Sequence, residues 1–450
     1  FFCLKISPHH KQFFFCLKIS PHHKQNKKRP SRHDDGTTTN NMYKKIPFLS
    51  PFFTFHKIQK DSKSDQMSIP LRKRLEKETD LFRSGCKFEK EVVASVWKGA
   101  GVVMRLRCED TSVIVKRIEA SSRLNSTSET SYRVEQRFYR HFAKDYENIP
   151  ICHLQDERVV KAKKKRKKKK KRKNAAEEDE DDILGSNWNF FSVLSDLCTE
   201  FPISEEDLNY SQARAVMKLF ARFHATNMNC KGVAQVGDSL INERLYGLWR
   251  SGTYWTLDRR RHELDTMIRN YEKEYRSRVI REYDGLSEDI KNLSRRLHSV
   301  AEELHSKLSP GKLNPPHWFT IVHGDAKGAN ILLKRQDEGD YVASLLDFQW
   351  VGGGLGCQDI AYFMISAVLP KALEREQELL RYYYTERRSH LLRTKKTKSK
   401  HMSWDEFLEK YEIALCDFMR WLCGYGLWGG PAERWSLERV SSILRTRLRV

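Results

Sequence analysis

The chain has 450 residues, 39% of them hydrophobic, with a formal net charge of +23. That length holds one large two-lobed domain or two or three smaller ones, and the apolar fraction suffices for a core despite a mean hydropathy of −0.68. No apolar run reaches membrane-span length, which argues against a membrane partner, and no Cys/His spacing suits zinc. The ten scattered cysteines fit a reducing compartment, so a cytoplasmic location is expected.

The positive charge is concentrated at two places. Residues 1–73 carry fifteen Lys/Arg against four Asp/Glu, and residues 161–173 carry twelve Lys/Arg, followed by six acids at 177–182. The rest of the chain is only mildly basic.

Residues 1–12, FFCLKISPHHKQ, recur as 14–25, a unit too short for a solenoid. Residues 1–80 are expected to be a disordered extension or a gene-model artefact, with the true start at Met42 or Met67; a targeting peptide is the alternative. Order is expected from near Leu71.

Residues 92–97, 102–107 and 112–118 read as three antiparallel strands, punctuated by Gly99-Ala100-Gly101 and Glu109-Asp110. A helix follows over 131–143, with Tyr132, Glu135, Phe138, Tyr139 and Phe142 on one face. The basic and acidic block at 161–182 has no apolar area to bury and reads as an exposed insertion spanning about 156–183. Residues 187–197 read as a strand that closes a small N-terminal lobe over 81–200. From 201 the chain reads as helical. A helix at 211–228 carries Ala213, Val216, Met217, Phe220, Phe223 and His224 on one face, and residues 240–308 read as mainly helical. Short strands are predicted at 318–323 and 343–348. Trp404, Phe407, Leu408, Tyr411, Leu415, Phe418, Leu422 and Tyr425 form a helical core stripe.

The chemistry concentrates in WFTIVHGDAKGANILL (318–333) and SLLDFQWVGGGLGCQDIAYF (344–363). Phosphoryl transfer needs a carboxylate to orient the acceptor hydroxyl and hard oxygen ligands to hold a cation across the phosphates. His323-Gly324-Asp325, four residues, then Asn330 has the spacing of a kinase catalytic loop. Asp325 is the candidate base, Asn330 and Asp347 are candidate Mg2+ ligands, and Lys327 is placed to neutralise the moving phosphoryl group. Such a site needs a strand lysine for the ATP phosphates and a helix glutamate to hold it. Lys116 and Glu135 meet that need, and Gly99 and Gly101 form a turn that can cover the phosphates.

Together these residues resemble the aminoglycoside phosphotransferase and choline kinase group, above all its ecdysteroid-kinase-like branch, over roughly 85–380. The matching pieces are WxGxG at 97–101, VIVK ending at Lys116, YxxExxFYxxFA at 132–143, SDL at 195–197, ARFHA at 221–225, HGDxxxxN and DFQxxGxGxGxxDIAYF from Asp347. The resemblance implies an α+β, protein-kinase-like two-lobed fold, with a helical lobe over 201–450 and a helical insert at about 237–310. It implies ATP under a hinge near Leu194, Asp196 and Leu197, and Asp359 as a structural anchor. Ala326 and Lys327 depart from the family's usual residues after the base, which leaves the acceptor open.

The expected function is therefore ATP- and Mg2+-dependent transfer of phosphate to a hydroxyl of a small molecule. A protein serine/threonine kinase ranks second, although position 324 is Gly rather than Arg and only eleven residues separate Asp347 from Asp359. A catalytically dead binding module ranks third, since Lys116, Asp325, Asn330 and Asp347 are all present. The tract at 161–173 is read as a solvated linker. Nucleic-acid binding or nuclear import through it is the alternative, and no aromatic residues interleave its lysines.

Overall fold

The computed structural model describes residues 69–79, 81–82, 86–96, 100–119, 126–157, 188–228, 239–309, 318–394 and 402–450. The expectations for residues 1–66, for Gly99 and for the charged block at 161–182 lie outside these residues.

The first lobe is built on an antiparallel sheet ordered β1-β2-β3-β5-β4: β1 (Glu89–Val96), β2 (Gly101–Cys108), β3 (Thr111–Glu119), β4 (Cys152–Glu157) and β5 (Trp188–Ser195). Alternation of Val, Ile and Leu with polar residues drives these strands, because a half-buried sheet presents successive side chains to opposite faces. One face buries Leu106, Val113, Val115 and Val193 with Leu71 and Leu75 of α1 (Ile69–Glu78). The other carries Lys116 towards α2 (Ser126–His141). The sequence reading missed β4, an edge strand of mostly polar residues that pairs with β5.

Helix α2 begins five residues before its predicted start, and Tyr132, Glu135, Phe138 and Tyr139 of its stripe are buried. Its aromatic face meets the second lobe. Phe138 stacks on Phe348 at 4.2 Å between ring centroids with an interplanar angle of 14°.

The second lobe is helical around a small sheet. Asn209 and Gln212 form a capping box at the start of α3 (Tyr210–Thr226), which satisfies backbone N–H groups left open by the first turn. Two strands follow, β6 (Ile241–Asn242) and β7 (Leu248–Trp249), then α4 (Leu257–Leu264), α5 (Met267–Glu274), α6 (Ile280–Glu282), α7 (Glu288–Lys291), α8 (Leu293–Ser299) and α9 (Ala301–Leu308). Helix therefore starts only at Leu257, not at 240. Trp249 pairs with Ile241 of β6 on one side and with Gly352, far along the chain, on the other, and each of these strands is only two or three residues long. Next come β8 (Thr320–Val322), the hairpin β9 (Ile331–Arg335) and β10 (Tyr341–Leu345), and β11 (Gly352–Gly354), which lies between β7 and β8. The chain ends in α10 (Gly356–Ala367), α11 (Pro370–Leu373), α12 (Glu376–Arg393), α13 (Trp404–Tyr425) and α14 (Glu433–Ile443). Phe407, Tyr411, Leu415, Phe418 and Leu422 of α13 are buried, as the core stripe implies, while Trp404, Leu408 and Tyr425 are half-buried. This is the expected two-lobed α+β arrangement. Among the described residues no helix is long and apolar enough to cross a membrane.

Cys86 and Cys108 lie side by side, with Cα atoms 6.3 Å apart. Their 22-residue separation hides that residue 86, just before β1, lies against the end of β2.

Phe138 is fully buried and bridges the two lobes. Phe138→Ala is expected to cost about 3–5 kcal/mol of unfolding free energy in a urea titration, as for other buried Phe truncations.

Candidate active site

The loop between β8 and β9 is built around Asp359. This carboxylate, on the first turn of α10, accepts the backbone N–H of His323 at 2.6 Å and of Gly324 at 2.9 Å. It also meets His224 Nε2 at 3.0 Å. Burial holds the His224 imidazole below its usual pKa, against the pull of Asp359. A neutral ring has one N–H, so Nε2 donates to Asp359 and Nδ1 accepts from Tyr383 Oη at 2.8 Å. Gly324 has φ +83°, and a Cβ there would run into the Trp350 carbonyl oxygen and lie 2.6 Å from Thr253 N. The backbone turns tightly here and sets the direction of the next residue, Asp325.

Asp325 is 5% exposed. Its Oδ2 accepts from Lys327 Nζ and Asn330 Nδ2, both at 2.9 Å, and its Oδ1 accepts from Tyr362 Oη at 2.9 Å. Asn330 Nδ2 also donates to the Asp325 carbonyl at 2.9 Å, which closes the loop on itself. The structure thus brings together Asp325, Lys327 and Asn330, the three loop residues singled out by spacing.

The Lys116 ammonium reaches Glu135 at 2.7 Å and Asp347 at 3.2 Å. Burial alone would lower its pKa, but the Asp347 and Glu135 charges raise it above the ordinary lysine value. The two carboxylates that share it diverge. Burial pushes Asp347 up, yet Lys116 and then Lys327 outweigh that and hold it below the usual carboxylate range. Glu135 is pushed up to about 7 by burial, with Lys116 opposing and Asp347 adding to the rise. One ammonium cannot fully compensate two buried carboxylates, so the pair splits.

Asp347 has φ +64°, a left-handed conformation that Asp tolerates better than most residues. Its Oδ1 accepts from Lys116 and from Gln349 Nε2 at 2.9 Å, while Oδ2 accepts no hydrogen bond among the described residues. Asn330 spends its Nδ2 on Asp325, which leaves its carbonyl-type oxygen for a ligand. One ionised carboxylate and one amide oxygen suit magnesium, which takes few protein ligands and completes its shell with water and phosphate oxygens. Among the described residues no group of three or more His, Cys, Asp or Glu forms a denser metal cage.

The Asp196 carboxylate is engaged by Arg105 Nε at 2.5 Å, Ser112 Oγ at 2.7 Å and Cys198 N at 3.1 Å. It ties β2 and β3 to the end of β5, so the Asp196 side chain is engaged within the first lobe. Leu194 is buried in β5 opposite Ile114, and Leu197 is half-buried in the following turn, its carbonyl accepting from Phe201 N at 2.7 Å. Gly101 also has a packing reason: a Cβ there would run into the Arg117 carbonyl of β3. The phosphate-covering part assigned to Gly101 is therefore not needed to explain a glycine at that position. A groove of about 690 Å³ lies elsewhere, along the outer face of α3 with Arg214, Lys218, Arg222 and Tyr382, and none of the site residues lines it.

The ecdysteroid kinase-like family model matches residues 102–396, well over half of the chain. The chain belongs to that family. Comparison with curated protein sequences returns no match. Among solved structures, a microcompartment-associated aminopropanol kinase covers 85% of this chain and 98% of its own at 9% identity and a TM-score of 0.41. Choline kinase from Cryptosporidium parvum covers 79% and 87% at 11% identity and 0.38, and a Plasmodium vivax ethanolamine kinase covers 82% and 85% at 10% and 0.37.

In this ecdysteroid kinase-like chain, sequence reasoning missed two sets of site residues. Gln349 joins the Asp347 carboxylate to Ser131 of α2, which bonds Gln349 Oε1 at 3.2 Å. Tyr362 and, behind it, Tyr254 reach Asp325. Tyr362 was visible in principle, since it stands three residues after Asp359 on one helix and shares its face. Tyr254 carried no signal.

Gly324→Ala is expected to lose about 1–3 kcal/mol of stability, because a side chain is strained at that φ and meets two backbone atoms besides. Denaturant titration reads the loss, and an unchanged midpoint would overturn this account of the turn.

Proposed function

We propose that the chain transfers the terminal phosphate of ATP to a hydroxyl of a small molecule, with magnesium as cofactor. The observation that carries this reading is the Lys116 ammonium held between Glu135 of the next helix and Asp347 of a distant loop, with Lys327 acting on both Asp347 and Asp325. The family's name, ecdysteroid kinase-like, points the same way.

In this reaction the acceptor oxygen bonds to the γ-phosphorus while the bond to the β–γ bridging oxygen breaks, and ADP leaves with that electron pair. Asp325 accepts the acceptor's proton. Lys116 neutralises charge on the α- and β-phosphates, and Lys327 stands beside the transferring group. Magnesium, held by Asp347 and Asn330, would neutralise charge across the phosphates. Most of the acceleration in such chemistry comes from positioning and charge stabilisation.

A small-molecule acceptor is favoured over a protein by the stretch between Asp347 and Asp359. Residues 348–358, FQWVGGGLGCQ, contain no hydroxyl to phosphorylate. They are all buried, and β11 locks them between β7 and β8. No peptide platform can project from there.

Screening the purified chain against a metabolite pool with labelled ATP tests the reading. Asp325→Asn is expected to lower transfer by about a hundred- to ten-thousand-fold with ATP–magnesium affinity retained, the range for a general base. Wild-type turnover in that variant would sink the base assignment. Asp347→Ala is expected to lose the magnesium dependence of ATP binding in calorimetry, and an unchanged dependence would remove Asp347 from the metal site.

A further inference from the structure

We infer that Tyr362 is a positioning residue for Asp325, fed by a hydrogen bond from Tyr254, and that it fixes which carboxylate oxygen the acceptor hydroxyl meets. The inference rests on the proposed role of Asp325 as base and adds to it a directed pair of tyrosines.

The direction follows from counting protons. An ionised carboxylate only accepts, so Tyr362 spends its one proton on Asp325 Oδ1 at 2.9 Å. The 3.0 Å contact between the Tyr254 and Tyr362 oxygens must then be donated by Tyr254. Burial and then the Asp325 charge raise both phenol pKa values well above the ordinary tyrosine value, so both protons stay in place. Each carboxylate oxygen offers about two acceptor sites. On Oδ2 both are used, by Lys327 and Asn330. On Oδ1 Tyr362 uses one, which leaves the other as the place for the acceptor hydroxyl.

The surroundings are built to hold this pair. Tyr362 follows Asp359 by one turn of α10, so one helix face grips both the loop backbone and the base. Thr253, just before Tyr254, is buried with φ +71°, a strained conformation for a β-branched residue. Its N–H is anchored on the Trp350 carbonyl at 3.2 Å, and its carbonyl accepts from Arg259. Trp350 lies 5.7 Å from Tyr254, and three further rings around the pair come from the C-terminal segment. Phe418 lies 4.6 Å and Trp428 6.0 Å from Tyr362, and Trp421 meets Tyr254 edge-on at 5.1 Å. All three lie beyond residue 396, where the family model stops matching.

The test uses the full chain, ATP–magnesium and water as acceptor, read as ATP hydrolysis, alongside any hydroxyl compound found by the screen. Tyr362→Phe keeps the ring and removes one hydrogen bond to a charged group, so kcat is expected to fall about tenfold or more. KM for ATP should stay within about twofold, because no nucleotide contact is touched. Tyr254→Phe should lower kcat less, and should have no further effect in the Tyr362→Phe background, since it acts only through Tyr362. Unchanged kcat in Tyr362→Phe, or a kcat loss matched by an equal rise in KM, overturns the proposal, as does additivity in the double variant. If Tyr362→Phe fails to fold, Tyr254→Phe carries the test by the same split. Asp325→Asn run in parallel separates the two readings. If it keeps turnover, the base assignment fails. If it loses turnover while Tyr362→Phe keeps it, only the present inference fails.

Discussion

A single buried ammonium holds this site together. Lys116 comes from a strand of the first lobe, Glu135 from the helix after it and Asp347 from a loop 231 residues further on. Buried charges are costly unless paired, so removing Lys116 would leave two buried carboxyl groups without their common partner. The contact therefore fixes the sheet, α2 and the Asp347 loop relative to one another. With Lys327 and Asp325 counted, two ammonium groups face three carboxyl groups. In the proposed reaction a divalent cation would supply the further positive charge that a triphosphate needs.

Packing backs up the electrostatics. Phe348, next to Asp347, stacks on Phe138 of the helix that carries Glu135, and Phe223 of α3 lies 6.2 Å from Phe348. Gln349 adds a polar tie from Asp347 to Ser131. In many kinase-like enzymes a mobile segment controls whether this helix is docked. Here the docking is made by buried aromatic rings and by a loop that continues into β11. The lysine–glutamate pair is thus formed by the fold itself.

The catalytic spacing was legible because it is local. Asp325 and Asn330 lie on one loop, and the offset between them is set by the loop's own closure, Asn330 Nδ2 on the Asp325 carbonyl. Lys116 and Glu135 were found because the loop's chemistry calls for a strand lysine and a helix glutamate upstream. What stayed hidden depends on chain segments far apart in sequence. Asp196 sits in a hinge motif, yet its carboxylate turns back to Arg105, 91 positions earlier. The strand β11 consists of three glycines, which have no strand preference, and exists only because β7 and β8 flank it. Cys86 and Cys108 meet through sheet geometry, not spacing.

The two sides of the site differ in how they are made. On the proposed phosphate side, Lys116 pairs with Glu135 and Asp347 while Asn330 bonds Asp325, and all of these lie inside the family-matched region. On the far side of Asp325, the first layer is Tyr362, and the layer behind it is supplied by Tyr254, Phe418, Trp421 and Trp428. A hydroxyl docking on Oδ1 would approach past these rings, and Trp428 is half-exposed among them. Aromatic rings bring large apolar area in fixed orientation, so a change in one of them reshapes the approach without disturbing the ion pairs. On the proposed reading, the residues that meet the phosphates and those behind the base thus come from different segments of the chain. That division is why the motif residues leave the acceptor open.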